Sequence, residues 1–229
     1  MTEPDIPRRS KPARSVRLKI CGLRDPRQAA AIAGMGVDAI GVVAVPGSRR
    51  FLAVEERAAV FAAARDAREG VLGVLVTADP GERELSSLQA AHGHQIVQLH
   101  GEESVDRCEH LLRQLGPEVG IWKALRIRSR EDLRRAEDYG GVTQALLLDA
   151  WVPGQLGGTG QAIPLDWLEG FSPAVPWWLA GGLTPETVRA VLRVCRPYGL
   201  DVSSGVEDRP GWKNLDRVAE LITQVEDSL

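Results

Sequence analysis

The chain has few cysteines and no long apolar run, and each shortage excludes a class of protein. Its three cysteines, Cys21, Cys108 and Cys195, are far apart and odd in number. This argues against a disulfide framework and a zinc knuckle, and it favours a reducing compartment. No apolar run approaches the roughly 18–20 residues that span a bilayer, and the first residues lack the hydrophobic core of a secretory signal. We therefore expect a cytoplasmic protein with no membrane partner.

The chain also has no excess of positive charge. The 28 Lys and Arg residues are outnumbered by 31 Asp and Glu residues, which gives a net charge of −3, so nothing predicts binding to nucleic acid or to an anionic membrane. Neither GxGxxG nor GxxxxGK[ST] follows the first predicted strand, which argues against a dinucleotide-binding fold and a P-loop. Residues 1–14 are rich in Pro, Arg and Ser without hydrophobic periodicity, and this predicts a short disordered N-terminal tail.

The sequence does contain a regular alternation of β-rich and helix-rich segments. The predicted strands span residues 16–21, 37–43, 71–77, 95–100, 120–125, 144–149, 176–180 and 200–203. The segments of helical composition span residues 26–35, 54–68, 81–91, 103–115, 130–139, 165–171, 185–193 and 215–226. Such alternation is typical of βα units with a parallel sheet. Eight repeats predict an α/β protein with a single (β/α)8 TIM barrel over residues 15–229.

Polar residues recur at every second position of several predicted strands. The strand face that packs against the helices of a barrel must be apolar, whereas the inward face tolerates charges only when they are paired. We therefore expect Lys19, Lys123 and Asp201 to form an internal network with Gln98, and this network need have no role beyond structure.

The last inward position of each strand has a different significance. Cys21, His100, Asp149 and Ser203 should converge at the C-terminal mouth, where barrel active sites lie. Asp149 ends a run of three leucines, where a carboxyl group is costly unless it is paired or used. It is either a cap for the next loop or a general acid. Cys21 is either a small buried apolar residue or a base, and its position opposite Asp149 favours the base. His100 either lines the mouth or fills the core.

Three glycine-rich strand exits predict a phosphate site. Glycine lets backbone N–H groups approach a ligand, and barrels often bind phosphate after strands seven and eight. The candidate residues are Gly158, Thr159 and Gly160 after strand six, Gly181 and Gly182 after strand seven, and Ser203, Ser204 and Gly205 after strand eight. Arg49 and Arg50 follow the second strand, where one of them could hold a substrate carboxylate or both could be a solvated surface pair.

Seven short motifs occur in the same order as similar motifs in a known family. They are KICG at 19–22, SRRF at 48–51, VQLHG at 97–101, LLD at 147–149, GGTG at 157–160, LAGGL at 179–183 and DVSSGVE at 201–207. This ordered set resembles the phosphoribosylanthranilate isomerases of tryptophan biosynthesis. The segments at 23–25 and 74–79 depart from the family pattern, which affects the rim of the mouth, and residues 1–14 lie outside the resemblance.

The resemblance implies an activity and roles for three residues. The reaction is the Amadori rearrangement of N-(5'-phosphoribosyl)anthranilate to 1-(2-carboxyphenylamino)-1-deoxyribulose 5-phosphate. Cys21 matches the family's general base and Asp149 its general acid. Arg50 matches the arginine that contacts the anthranilate moiety better than Arg49 does. Neither a metal nor an organic cofactor is implied.

Two other functions stay open at this point. One is a dual-specificity isomerase that also accepts the related aminoaldose of histidine biosynthesis, although that reaction typically uses two aspartates, one of them at strand one, where Cys21 stands. The other is a non-catalytic barrel that binds a phosphorylated sugar and regulates a partner, which the presence of both Cys21 and Asp149 disfavours. The sequence predicts no particular protein partner.

Overall fold

Eight parallel strands close into a barrel in chain order, with the last strand beside the first. The computed structural model describes residues 16–150 and 161–228. The strands are β1 Arg17–Ile20, β2 Ala39–Val43, β3 Leu72–Thr77, β4 Ile96–Leu99, β5 Gly120–Ile127, β6 Ala145–Ala150, β7 Trp177–Leu179 and β8 Gly199–Val202. The predicted (β/α)8 barrel is confirmed. A short antiparallel hairpin, β9 Glu207–Arg209 and β10 Trp212–Lys213, follows β8.

The outer layer contains five α-helices and several 3-10 turns among the described residues. The helices are α1 Pro26–Gly34, α2 Val54–Ala67, α3 Val105–Leu115, α4 Val188–Val194 and α5 Leu215–Glu226. The prediction of helices at 81–91, 130–139 and 165–171 is wrong in type, because 3-10 segments lie there at Glu82–Leu88, Ala90–His92, Arg130–Ala136 and Leu165–Trp167. In two of these regions an acidic side chain binds a preceding backbone amide, from Gly81 to Glu84 and from Ser129 to Asp132. Each bond satisfies a backbone amide at the start of its 3-10 segment.

The two largest apolar cores of the described residues lie on opposite faces of the strands. Leu18 and Ile20 belong to the large core between the barrel and its outer layer. Trp122 and Trp178 belong to the smaller core inside the barrel, where their rings stack with centroids 4.8 Å apart. The interior is therefore filled at this level.

Above this aromatic layer the barrel interior holds a buried ionic group. The ammonium of Lys19 donates to Gln98 Oε1 and Asp201 Oδ2, both at 2.9 Å. Because Lys19 and Asp201 are direct neighbours across the β1–β8 pair, the register itself brings the two charges together. This part of the predicted network is confirmed.

The prediction that Lys123 joins this network is wrong. Its neighbours Trp122 and Ala124 face the interior, so strand alternation turns Lys123 to the outer layer. There its Nζ donates to Glu103 Oε2 at 2.8 Å and to the Gly101 carbonyl at 2.9 Å. Lys123 therefore ties the loop after β4 to β5 instead of charging the interior.

Two predicted segments lie outside the described residues: the N-terminal tail at 1–14 and the GGTG motif with Gly158, Thr159 and Gly160. Within 16–150 and 161–228, no helix combines the length and apolar character needed to cross a membrane.

Candidate active site

One cavity opens at the C-terminal mouth of the barrel, and most of the predicted site residues line it. Cys21, His100, Asp149 and Ser203 share this cavity, as their last inward positions on four strands require. The other predicted residues on its wall are Arg50, Gly181, Gly182, Ser204 and Gly205. The fold therefore brings together all the predicted site residues that the structure describes.

Cys21 lies directly after β1, and its neighbours leave space for the thiol. Its amide donates to the Val202 carbonyl at 2.8 Å, which continues the β1–β8 ladder by one residue. Gly41 on β2 faces it, and a Cβ on Gly41 would lie 2.7 Å from the Cys21 Sγ. A side chain at this position of β2 would therefore displace the thiol from the mouth.

Burial and charge act in opposite directions on this thiol. Burial raises the pKa of Cys21, while the positive charges of Lys19 and Lys213 oppose the rise. Burial by itself would lower the pKa of Lys19, but the negative charges of Asp201 and of the Cys21 thiolate outweigh it, so the pKa of Lys19 is raised. Lys19 is therefore held as a cation beside the thiol.

Asp149 lies at the end of β6, with His100 beside it. Both residues are buried, and His100 Nε2 is 3.4 Å from Asp149 Oδ2. Gly181 keeps the other side of the carboxylate open, because a Cβ there would lie 2.9 Å from Asp149 Oδ1. His100, for which the sequence left two alternatives, thus lines the mouth.

Asp201 also faces the cavity, a position that the sequence reasoning did not assign to it. Its Oδ2 is occupied by Lys19, whereas its Oδ1 is buried without a hydrogen-bond partner among the described residues. Because a buried carboxylate oxygen is costly when it is unpaired, Oδ1 is ready to accept a hydrogen bond from a donor on a bound ligand.

The guanidinium of Arg50 is oriented by a carboxylate of the protein itself. Its Nε and Nη2 donate to the two oxygens of Glu207 at 2.9 and 2.6 Å. A guanidinium carries five N–H donors in a fixed plane, so this bidentate pair uses one edge and fixes the orientation of the rest. Arg49, by contrast, is exposed.

Glu207 and Lys213 are site residues that the sequence reasoning did not single out. Lys213 is fully buried and donates to Glu207 Oε1 at 2.7 Å. The signal available in the sequence was Pro210-Gly211, a turn dipeptide that connects β9 to β10 and returns Lys213 to the mouth.

The loops after β7 and β8 approach each other closely at the predicted phosphate corner. Gly181 and Gly182 both have positive φ, at 86° and 63°. A Cβ on Gly205 would lie 1.9 Å from the Leu183 carbonyl oxygen, so glycine is required there for the two loops to pack. Ser204–Val206 forms a single 3-10 turn, whose first amides have no acceptor within the turn. The corner can thus offer backbone donors to an anion.

Comparison with known proteins gives consistent results over most of the chain. Residues 18–224 match the family model of N-(5'-phosphoribosyl)anthranilate (PRA) isomerase. The sequence is 44% identical over 216 residues to N-(5'-phosphoribosyl)anthranilate isomerase of Thermosynechococcus vestitus, covering 93% of this chain and 91% of the relative.

Solved structures give the same result. The fold matches the phosphoribosyl anthranilate isomerase of Thermus thermophilus with a TM-score of 0.78 and 32% identity, over 93% of this chain and 99% of the other. It also matches a phosphoribosyl anthranilate isomerase in complex with reduced 1-(o-carboxyphenylamino)-1-deoxyribulose 5-phosphate, with a TM-score of 0.74 and 30% identity over 93% and 99% of the two chains.

Proposed function

The chain belongs to the N-(5'-phosphoribosyl)anthranilate isomerase family of tryptophan biosynthesis, and from this premise we propose that Asp149 is the general acid and Cys21 the general base of its reaction. The reaction is the Amadori rearrangement of N-(5'-phosphoribosyl)anthranilate to 1-(2-carboxyphenylamino)-1-deoxyribulose 5-phosphate. One observation carries the proposal: both side chains line a single cavity that also contains the glycine-rich exits of β7 and β8.

The substrate has two anionic ends, and the mouth has a cationic or donor-rich group for each. We place the phosphate at Gly181, Gly182, Ser203, Ser204 and Gly205, together with Gly158, Thr159 and Gly160. The anthranilate carboxylate then lies near Arg50, whose Nε and Nη2 already bind Glu207 and whose remaining N–H groups are available. Contacts at the two anionic ends of the substrate supply the binding energy. This energy holds the ribose, which lies between the two ends, in position between Asp149 and Cys21.

Asp149 acts in the first proton transfer. Protonation of the furanose ring oxygen by Asp149 opens the ring to a Schiff base. The neighbouring His100 Nε2, 3.4 Å from Oδ2, and the open side created by Gly181 support a carboxyl group that faces the cavity.

Cys21 acts in the second transfer. Its thiolate removes the proton from C2' and gives an enolamine, which tautomerises to the ketone. Lys19 stays charged beside the thiol, and this charge favours the thiolate that the base requires. Asp149 and Cys21 lie at the ends of β6 and β1, which are three strands apart in the closed barrel, so the two proton transfers take place on separate sides of the sugar.

The pH dependence of kcat/KM tests the role of Cys21. Turnover requires protonated Asp149 as well as the Cys21 thiolate, so the test uses Asp149→Asn, in which only the thiol limb of the pH profile is left. Because burial raises the pKa of Cys21, we expect the residual kcat/KM of this variant to keep rising beyond pH ~8.5, the value of a free thiol. A residual profile that is flat between about pH 6 and 9 would exclude Cys21 as the base.

The last part of the proposal concerns the cellular compartment and the binding partners of the enzyme. We propose that the enzyme works in the cytoplasm on a small phosphorylated substrate, without a nucleic-acid or membrane partner. The net charge of −3 and the three separate cysteines support this assignment.

A further inference from the structure

Lys213 is connected to the proposed base through one side chain. Its Nζ donates to Ser203 at both the carbonyl and Oγ, at 3.2 and 3.3 Å. The Ser203 hydroxyl in turn donates to the Cys21 carbonyl at 3.0 Å. Two hydrogen bonds thus link a fully buried ammonium to the backbone of Cys21.

Charges of both signs act on the Cys21 thiol. Lys19 and Lys213 lower its pKa, whereas Asp201 raises it. Lys19 is paired with Asp201, and both Arg50 and Lys213 share Glu207. His100 and Asp149 line the same cavity.

The charge of Lys213 lies in a place where it acts strongly. Lys213 is fully buried, and buried charges are screened little by solvent. The pKa of Lys213 is lowered by burial, which the Glu207 carboxylate offsets only in part. The charge of Lys213 in turn opposes the rise that burial causes in the pKa of Cys21.

The hairpin does not depend on this ammonium for its position. Gln28 of α1 holds the backbone of Lys213 on both sides, accepting from its amide at 3.0 Å and donating to its carbonyl at 2.8 Å. Gly211 also donates to Glu207 Oε1 at 3.0 Å. The Lys213 side chain is therefore available for a task other than closing the hairpin.

We propose that Lys213 is a positioning residue for the isomerase reaction: its ammonium holds Ser203 against Cys21 and supplies a positive charge that favours the Cys21 thiolate. The proposal rests on the role of Cys21 given above. Lys213, which lies outside the eight barrel strands, would then control the pH at which the base becomes active.

The test is the rate at which iodoacetamide alkylates Cys21 as a function of pH, followed by mass spectrometry of the Cys21 peptide in the full chain. In Lys213→Met we expect the midpoint of the curve to move up by about one pH unit, the lower end of the effect of a nearby charge. At a fixed pH below the midpoint, alkylation then slows about tenfold. Lys213→Arg should keep the midpoint of the wild type.

Lys123→Met is the matched control. Lys123 is as buried as Lys213 but is paired with Glu103 outside the barrel, so its loss disturbs the fold without removing a charge from the mouth. We expect its alkylation midpoint to equal that of the wild type. Lys213→Gln, which keeps a hydrogen-bond donor, replaces Lys213→Met if that variant does not fold, and the same upward shift is expected.

Two results overturn the proposal: a neutral variant at 213 with the wild-type midpoint, or Lys213→Arg shifted as far as the neutral variant. Alkylation needs no turnover, so these results are independent of whether Cys21 is the catalytic base. Failure of the proposed function is detected separately, from the pH profile of the residual kcat/KM of Asp149→Asn.

Discussion

At the scale of single residues, Gly205 is a position where an added side chain would collide with the backbone of a neighbouring loop. A methyl group there would be 1.9 Å from the Leu183 carbonyl oxygen, so Gly205→Ala forces apart the two loops proposed to hold phosphate. Losing a hydrogen bond to a charged group costs about 1.5–3 kcal/mol, so we expect KM to rise roughly 10- to 100-fold. Steady-state kinetics measures this.

Gly34 provides the control for this substitution. It lies at the end of α1, and nothing lies within 4 Å of a Cβ added there. Gly34→Ala should leave KM unchanged and stabilise the helix by up to about 1 kcal/mol. An unchanged KM in Gly205→Ala as well would show that the corner between β7 and β8 does not bind the phosphate.

Arg50 and Arg49 are adjacent in sequence but differ in their surroundings. Arg50 is buried and oriented by Glu207, whereas Arg49 is exposed. We expect Arg50→Met to raise KM by about 10- to 100-fold, because a charge-assisted contact with the substrate carboxylate is lost. Arg49→Met should stay within about twofold of the wild type, since solvated surface charges contribute little. Equal effects of the two variants would contradict the assignment of Arg50.

The residues that the sequence identified are those whose position follows from strand alternation. Lys19 and Asp201 could be paired because each stands at an inward position of a neighbouring strand. Lys123 could not be placed correctly, since its own strand is apolar on both faces and alternation alone does not say which face is inside. Lys213 reaches the mouth through a hairpin, and no periodic pattern marks a side chain delivered in this way.

At the scale of elements, the Lys123–Glu103 pair joins the loop after β4 to its neighbours. Glu103 also accepts from the amides of Asp79 and Gly101, at 2.7 and 3.1 Å. Lys123→Met leaves this carboxylate buried without its cation, so we expect the free energy of unfolding to fall by about 3–5 kcal/mol. Urea denaturation followed by circular dichroism measures the loss.

An exposed pair serves for comparison. Arg113 and Glu109 form an i,i+4 pair on the surface of α3, and Arg113→Ala should cost only about 0.3–0.5 kcal/mol. If Lys123→Met costs no more than this, the buried pair is not the link between these loops.

The element types were harder to predict than their number. All eight strands lie where the β-rich segments predicted them. The segments at 81–91, 130–139 and 165–171 have helical composition but form 3-10 turns. The two helix types differ in their hydrogen-bond pattern, i→i+3 against i→i+4, and residue composition does not specify which pattern forms.

At the scale of the whole molecule, the barrel needs only the residues from β1 onward for its strands and its mouth. The described residues that line the cavity begin at Cys21. We therefore expect a variant without residues 1–14 to keep the wild-type kcat/KM and melting temperature. A tenfold loss of kcat/KM on this deletion would assign the N-terminal segment a role in catalysis.

The architecture could be predicted because each βα repeat adds one strand, and eight repeats of this length favour a closed barrel over an open sheet. The closure in turn explains why motifs far apart in the sequence share one cavity. What the sequence could not provide is the balance of charge in that cavity, since it depends on Glu207 and Lys213 at distances that only the fold fixes.

The turnover of two variants tests the central claim, that Cys21 and Asp149 are the base and the acid. Loss of phosphoribosylanthranilate fluorescence gives kcat for Cys21→Ala, Asp149→Asn and, as a control, Cys108→Ala, which removes an equally buried thiol from the outer core. We predict that each of the first two lowers kcat by about 10²-fold or more, the scale of general acid–base catalysis, while the control stays near the wild type. If either Cys21→Ala or Asp149→Asn keeps near-wild-type turnover, the account is contradicted.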